Sequence, residues 1–335
     1  MKTKVLVLLV GIMLLTTFFA VAQPIQKKDT INSPNTIASS MIDVPVWEIG
    51  QSWTYKIQDI TMDFSNPNQS ISMDLSIAEL PLIVTEVTDE YYTLTFTTTM
   101  NGQGHFYSDF GDGPINVSIA LTNAAITGSL RFDKATLGIE DATISFVKQK
   151  ITFDIIQQPY LPLPDWLHVL SMKVTSDVDI LSDSSVTLFK FPLMTGSSWN
   201  LSATNLSTTG TIQSLFFNLL NFLNNIAKLF GKEFLPADFA ALLPVIDIKD
   251  AMTTYRGTNV FQVPVVPYAF LCLNTENISV IAGLFEAFNI TLFGGLGQCF
   301  FAQDAGNIIL LKGNFEQLIP FVKNIDMELT DTTYS

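Results

Sequence analysis

The sequence predicts a mainly β chain: a large curved antiparallel sheet or half-barrel, interrupted by one inserted amphipathic helix. Three observations carry this. From Val44 onward, apolar residues recur at every second position in one segment after another. That is the period of strands with one buried and one wet face. No strand–helix–strand alternation occurs, which removes a parallel α/β fold. Finally, "VWEIGQSWTYKI" at 46–57 and "FPLMTGSSWNLS" at 191–202 share a Gly-x-Ser-Trp core. It reads as a turn that launches a strand: Gly for close approach, Ser capping the turn, Trp filling the core.

The elements follow in order. Lys2 and Lys4 precede an apolar run from Val5 to Ala22 with small residues at Ala20 and Ala22. This is the pattern of a secretory signal peptide, residues 1–22, cleaved before Gln23; an uncleaved membrane anchor is the alternative. Residues 23–43 are polar and aperiodic, a flexible leader. Residues 44–335 then read as antiparallel β structure, one continuous domain, with two β domains (44–188 and 189–335) as the alternative. Trp53, Tyr55 and Ile57 share a face. So do Ile71, Met73, Leu75 and Ile77; Tyr92, Leu94 and Phe96; Ile115, Val117, Ile119 and Leu121; and Ile151, Phe153 and Ile155. The proline-rich stretch 157–170 cannot be interior strand. Residues 214–230, "SLFFNLLNFLNNIAKLF", switch to helical period. Leu215, Phe216, Leu219, Phe222, Leu223 and Ile226 form a wide apolar face opposite a polar stripe. Gly231 stops this helix, and a second short one is expected over 236–243, between Pro236 and Pro244. The apolar face suits either core packing or a cover over an apolar ligand.

Composition narrows the function classes. Charged residues make up 14% of the chain, against roughly 25% in ordinary soluble domains. Without the signal the charge is 15 cations (17 less Lys2 and Lys4) minus 31 acids, or −16. Arg131 and Arg256 are the two arginines. Nucleic acid is therefore not an expected partner, since phosphate binding needs clustered cations. Six N-x-S/T sequons occur, at Asn68, Asn116, Asn200, Asn205, Asn277 and Asn289. Asn116, Asn200, Asn277 and Asn289 lie out of phase with apolar neighbours, so each is expected to point outward, where a glycan fits. Cys272 and Cys299 form an even count in an exported chain, which favours one disulfide of about 3.5 kcal/mol; two buried free thiols are the alternative.

From Phe189 onward, "FPLMTGSSW", "YRGTNVFQVPVVPYAFLCLN" and "CFFAQDAGNIILLKG" resemble, in their order, exported β proteins of the DUF3108 and lipoprotein-carrier-like (LolA/LppX-type) kind. Val263, Pro264 and Phe270 stand where that group has its middle strand motif, and Gly306 lies at the last hairpin. The resemblance covers about residues 189–315. It implies a curved half-barrel holding apolar cargo, with the strands of Cys272 and Cys299 side by side.

Chemistry is sparse. His105 lies in the Gly- and Asp-rich "NGQGHFYSDFGDG", which reads as a loop, and His168 follows the prolines. Neither has metal-ligand spacing, and no nucleophile elbow occurs. Asp177, Asp179 and Asp183 read as a solvated acidic edge rather than a calcium site. No catalytic residue, metal or cofactor is assigned. The expectation is a non-enzymatic exported protein binding or shielding an apolar ligand such as a lipid. A structural or adhesive protein meeting other cell-surface proteins is the second class, and a secreted hydrolase the third.

Overall fold

The computed structural model describes residues 41–66, 69–109, 114–157, 169–213, 254–263, 265–314 and 322–334. All regular structure among them is strand: β1 (Met41–Ile42), β2 (Ser52–Asn66), β3 (Gln69–Val87), β4 (Tyr91–Asp109), β5 (Pro114–Asp133), β6 (Ile139–Gln157), β7 (Val169–Val186), β8 (Leu193–Met194), β9 (Ser198–Leu201), β10 (Thr204–Gln213), β11 (Thr254–Val263), β12 (Val266–Val280), β13 (Gly283–Leu292), β14 (Gly297–Ala302), β15 (Asn307–Asn314) and β16 (Val322–Thr332). The helices expected over 214–230 and 236–243 lie outside the described residues.

β1 pairs with β8, and the other strands form one antiparallel sheet, ordered β11-β10-β7-β6-β5-β4-β3-β2-β16-β15-β14-β13-β12-β9. Its two ends belong together. β10 follows β9 after residues 202–203, and β12 begins three positions after the last residue of β11. Leu201 pairs with Val266 and Thr204 with Val263, so one ladder register passes through both breaks. With β9–β10 and β11–β12 each taken as a single strand, the sheet is a twelve-strand meander nearly closed into a barrel. The expected half-barrel is therefore more closed than the sequence suggests, because β16 pairs with β2 and joins the two halves of the chain.

The inner face is apolar, as the alternation predicts. Trp53, Tyr55, Ile57, Leu94, Phe96, Ile126, Ile144 and Ile290 are all buried. The two Gly-x-Ser-Trp stretches are built alike. Gln51 N–H donates to Glu48 O (3.1 Å) and Ser197 N–H to Met194 O (3.2 Å), each closing a tight turn. Gly50 N–H then donates to Val84 O while Val84 N–H donates to Gln51 O; Gly196 and Ser197 make the same pair of bonds with Cys272. Each Trp lies opposite a buried apolar residue two positions back, Leu82 for Trp53 and Phe270 for Trp199. The glycines are needed for φ of +91° and +78°, as a tight turn with a left-handed third residue requires. Close approach is not the reason, since a Cβ at either would meet nothing within 4 Å.

A belt of irregularities crosses the first half of the sheet. Register shifts occur at Tyr55–Ile60 in β2, Ile77–Ile83 in β3, Met100–Gly102 in β4 and Phe146–Gln149 in β6. These positions pair with one another, so the shifts form one continuous line. Asp59 and Asn123 adopt positive φ on it, and Asn123 N–H donates to Asn101 Oδ1 at 2.8 Å. Bulges of this kind bend a strand and sharpen its twist. Below the belt all strands of the ring take part. Above it, among the described residues, β2 to β7 continue alone: β10 ends at Gln213 opposite Thr175 and β16 begins at Val322 opposite Met62.

Candidate functional site

Three regions stand as candidate sites: the lower barrel, the six-strand extension above the belt, and the outer face of β12. The bottom of the barrel is plugged by aromatics. Trp47 lies 4.9 Å from Trp53, 5.1 Å from Tyr92 and 5.4 Å from Phe132, centroid to centroid. The turn between β14 and β15 tucks against this cluster. Trp47 Nε1–H donates to Gly306 O at 2.9 Å and Trp53 Nε1–H to Ala305 O at 2.6 Å. Tyr55 O–H donates to Ile308 O at 2.9 Å. These three buried donors each find a carbonyl, the usual condition for burying Trp and Tyr, while the Tyr92 hydroxyl accepts from Trp47 N–H at 3.2 Å. Outside, the β12–β13 hairpin tip hooks onto β16 through Ala282 N–H to Leu329 O and Ile281 N–H to Glu328 Oε1.

Between the plug and the belt lies a small apolar void of about 60 Å³, walled by Tyr55, Ile57, Leu80, Phe96, Ile144, Ile308 and Met327 among others. Its lining side chains are apolar apart from Asn307, the Tyr55 hydroxyl and the Trp47 indole N–H, of which the last two already donate to Ile308 O and Gly306 O. Burial pushes the Tyr55 phenol well above its ordinary pKa, with nearby Cys299 adding to the effect.

Above the belt the inner face stays apolar. Met73, Leu75, Ile119 and Leu121 are shielded from solvent, as are Ile77 and Met100 at its foot. Gly102 and Gly104 interrupt this surface on β4. A Cβ on Gly102 would lie 2.5 Å from Leu75 Cδ2, and one on Gly104 2.5 Å from Ser72 O. These glycines let β3 and β4 press together, which is why "NGQGHFY" is strand rather than the loop its composition predicts. His105 lies on β4 opposite Ser72 and Ser118, exposed.

The predicted cysteine pairing is not found. Cys272 on β12 and Cys299 on β14 are free and buried. Both pair with Ile290, so β13 stands between them. Two strand spacings of about 4.8 Å put their Cα atoms roughly 10 Å apart, beyond the reach of a disulfide. Their strands are therefore next-nearest neighbours, not side by side. Burial pushes the Cys272 thiol up to about 11 and the Cys299 thiol higher still.

Of the sequon residues, Asn200, Asn205 and Asn277 are exposed and Asn116 is half-buried. Asn200 Oδ1 accepts from Tyr268 N–H at 2.8 Å, and Asn205 Nδ2 donates to Asp183 at 2.7 Å. Asn289 departs from expectation. It is only 7% exposed, its Nδ2 donates to Glu276 at 2.6 Å, and it pairs with buried Phe300. Alternation gives the face a residue occupies, not whether that face meets water. Asn68 and the apolar face of Leu215, Phe216, Leu219, Phe222, Leu223 and Ile226 lie outside the described residues, as does His168. Asp177 and Asp179 are exposed, and Ser145 donates to Asp177. Among the described residues no group of three or more His, Cys, Asp or Glu could hold a metal.

The outer face of β12 was not anticipated from sequence. Tyr268 is 76% exposed and Leu273 48% exposed, with Leu271 between them. A register shift between Val266 and Phe270 and a φ of 51° at Tyr268 turn that ring outward. The doubled apolar run "VVPYAFLCL" gave a buried strand no visible outer side.

No family model matches this chain, and no curated protein or solved structure matches it either.

Proposed function

We propose that this chain is a non-enzymatic, exported β protein that holds or shields an apolar ligand, lipid chains above all, against the six-strand extension above the belt. One observation supports this most. The inner face continues through the buried apolar residues Met73, Leu75, Ile119 and Leu121 above the level where, among the described residues, β10 ends and β16 begins. The lower barrel is the base of this device: its void of about 60 Å³ is far below the roughly 300–1,000 Å³ of small-molecule sites. The resemblance of residues 189–315 to carrier-type half-barrels points the same way. In this reading residues 44–335 act as one domain.

A second reading, a structural or adhesive surface protein, is favoured by the filled lower core and the exposed row Tyr268, Leu271 and Leu273 on β12. Titration of the full chain with a fluorescent long-chain fatty acid separates the two. The carrier reading expects saturable binding that weakens about tenfold or more, some 1.4 kcal/mol, in Leu121→Gln. Thr127→Gln, on the outer face of the same strand, should bind as the parent does. Circular dichroism confirms that each variant is folded. A parent chain with no saturable binding removes the carrier reading and leaves the structural one.

A further inference from the structure

Among the sequon residues, Asn200 is held in a way the others are not. It lies on β9 opposite a wide irregularity in β12. Leu201 pairs with Val266 and Trp199 with Phe270, so Pro267, Tyr268 and Ala269 together face Asn200 alone. The Tyr268 N–H donates to Asn200 Oδ1 at 2.8 Å. A backbone N–H only donates, so its partner is the amide oxygen, and Nδ2 is the other branch of an exposed side chain. At the same point the backbone presents a ring. Tyr268 adopts a φ of 51°, a conformation that costs any residue but glycine, and its ring is largely exposed. Conformations held at such a cost cluster where function requires them. The other described sequons lack this arrangement. Asn289 is buried with Nδ2 turned onto Glu276, and Asn205 Nδ2 is turned onto Asp183. Asn116 is half-buried, and Asn277 is exposed but lies opposite Glu286.

We infer that Asn200 carries an N-linked oligosaccharide and that the Tyr268 ring is the platform on which its first sugar packs. The donor is an oligosaccharide carried on a lipid diphosphate. Asn200 Nδ2 forms a bond to the anomeric carbon, and the bond from that carbon to the phosphate oxygen breaks. The lipid diphosphate leaves with the electron pair, and one Nδ2 proton passes to a base of the transferase. Ser202 supplies the hydroxyl that the sequon requires. Leu201 between them is buried while Asn200 and Ser202 are exposed, so both emerge on one outer face. The transfer leaves Oδ1 untouched. The bond from Tyr268 N–H therefore survives it and keeps the first sugar beside that residue. The C–H hydrogens on a sugar's face are weakly positive and the face of an aromatic ring is negative, so the two attract when they lie side by side. This inference needs the export expected from residues 1–22 and does not depend on the carrier reading.

Secretion of the full chain from a eukaryotic host that modifies N-x-S/T sites, followed by peptide mapping and thermal melts, tests it. Asn200 should be occupied. Ser202→Ala, which removes the glycan and keeps the Asn200 amide, should lower the melting temperature by about 2 °C. In a Tyr268→Asn background, where asparagine tolerates the positive φ but has no ring, the same change should have less than half that effect. Tyr268→Ala repeats the comparison should that variant fail to fold. The same chains made in a cytoplasm without the transferase should melt alike with and without Ser202→Ala. An empty Asn200, or a glycan whose effect on melting is the same with and without the ring, overturns the inference. So does an equal loss from Ser202→Ala in the unglycosylated protein, which would assign the effect to the serine itself.

Discussion

At the residue scale, glycines with different jobs should respond differently to the same substitution. Gly50 and Gly196 hold positive φ in open space, so alanine there meets only backbone strain, about 1–2 kcal/mol each. Gly128 faces inward between β4 and β6, where a Cβ would run into Thr143 O and the Phe96 ring. Gly128→Ala should therefore cost more, up to about 3 kcal/mol, in a denaturant melt. The buried thiols give a pH dependence. With Cys272 raised to about 11 and Cys299 higher, both folded and unfolded states stay protonated below roughly pH 8.5. Above it the unfolded chain ionises first, so stability is complete below that pH and declines as pH rises toward the folded values. Melting temperature should hold steady to about pH 8 and then fall, with a shallower fall in Cys299→Ala. Native protein should also keep the mass of two free thiols and show no shift on reduction. A reduction-sensitive melt would contradict the spacing of β12 and β14.

At the element scale, the β14–β15 turn is the most interlocked piece of the lower barrel. Tyr334 covers Gly306 so closely that a Cβ would lie 2.5 Å from the ring, and the same ring lies 6.0 Å from Trp53. Gly306→Ala should destabilise by about 2 kcal/mol. Tyr334→Ala should give back part of that loss, a coupling of about 1 kcal/mol or more in the double-mutant cycle. Strictly additive effects would mean the ring moves aside freely. Strands of this kind were readable in advance: the period of two at 53–57, 92–96 and 115–121 was enough to place their buried faces. The cysteine pairing was not, because period gives faces but not which strand neighbours which. Strand order depends on hairpin succession and on β16 meeting β2, and no local pattern encodes that meeting. The belt was equally hidden, since Asp59, Asn101 and Asn123 look like ordinary outward polar residues until their partners' registers are known.

At the scale of the whole molecule, the two Gly-x-Ser-Trp turns begin two runs of successive strands, and these close on one another to form the barrel. The first run has the longer strands, 19 or 20 residues in β3 to β6 against 6 to 10 in β13 to β15. At about 3.3 Å per residue the strands of the first run are some 30 Å longer, and buried apolar residues Met73, Leu75, Ile119 and Leu121 carry the inner face about 13 Å beyond Ile77. The alternation at 71–77 and 115–121 revealed that this face is apolar. It could not reveal that the described strands of the second run are shorter, because that is a difference between distant halves of the chain. The central claim is that this surplus apolar wall seats a lipid-like chain. Native mass spectrometry of the full chain, purified from a lipid-containing host without detergent, tests it most directly. The expected result is a population heavier by one apolar molecule, which returns to the bare mass after organic extraction and is depleted in Leu121→Gln. Bare protein alone, in parent and variant alike, would contradict it.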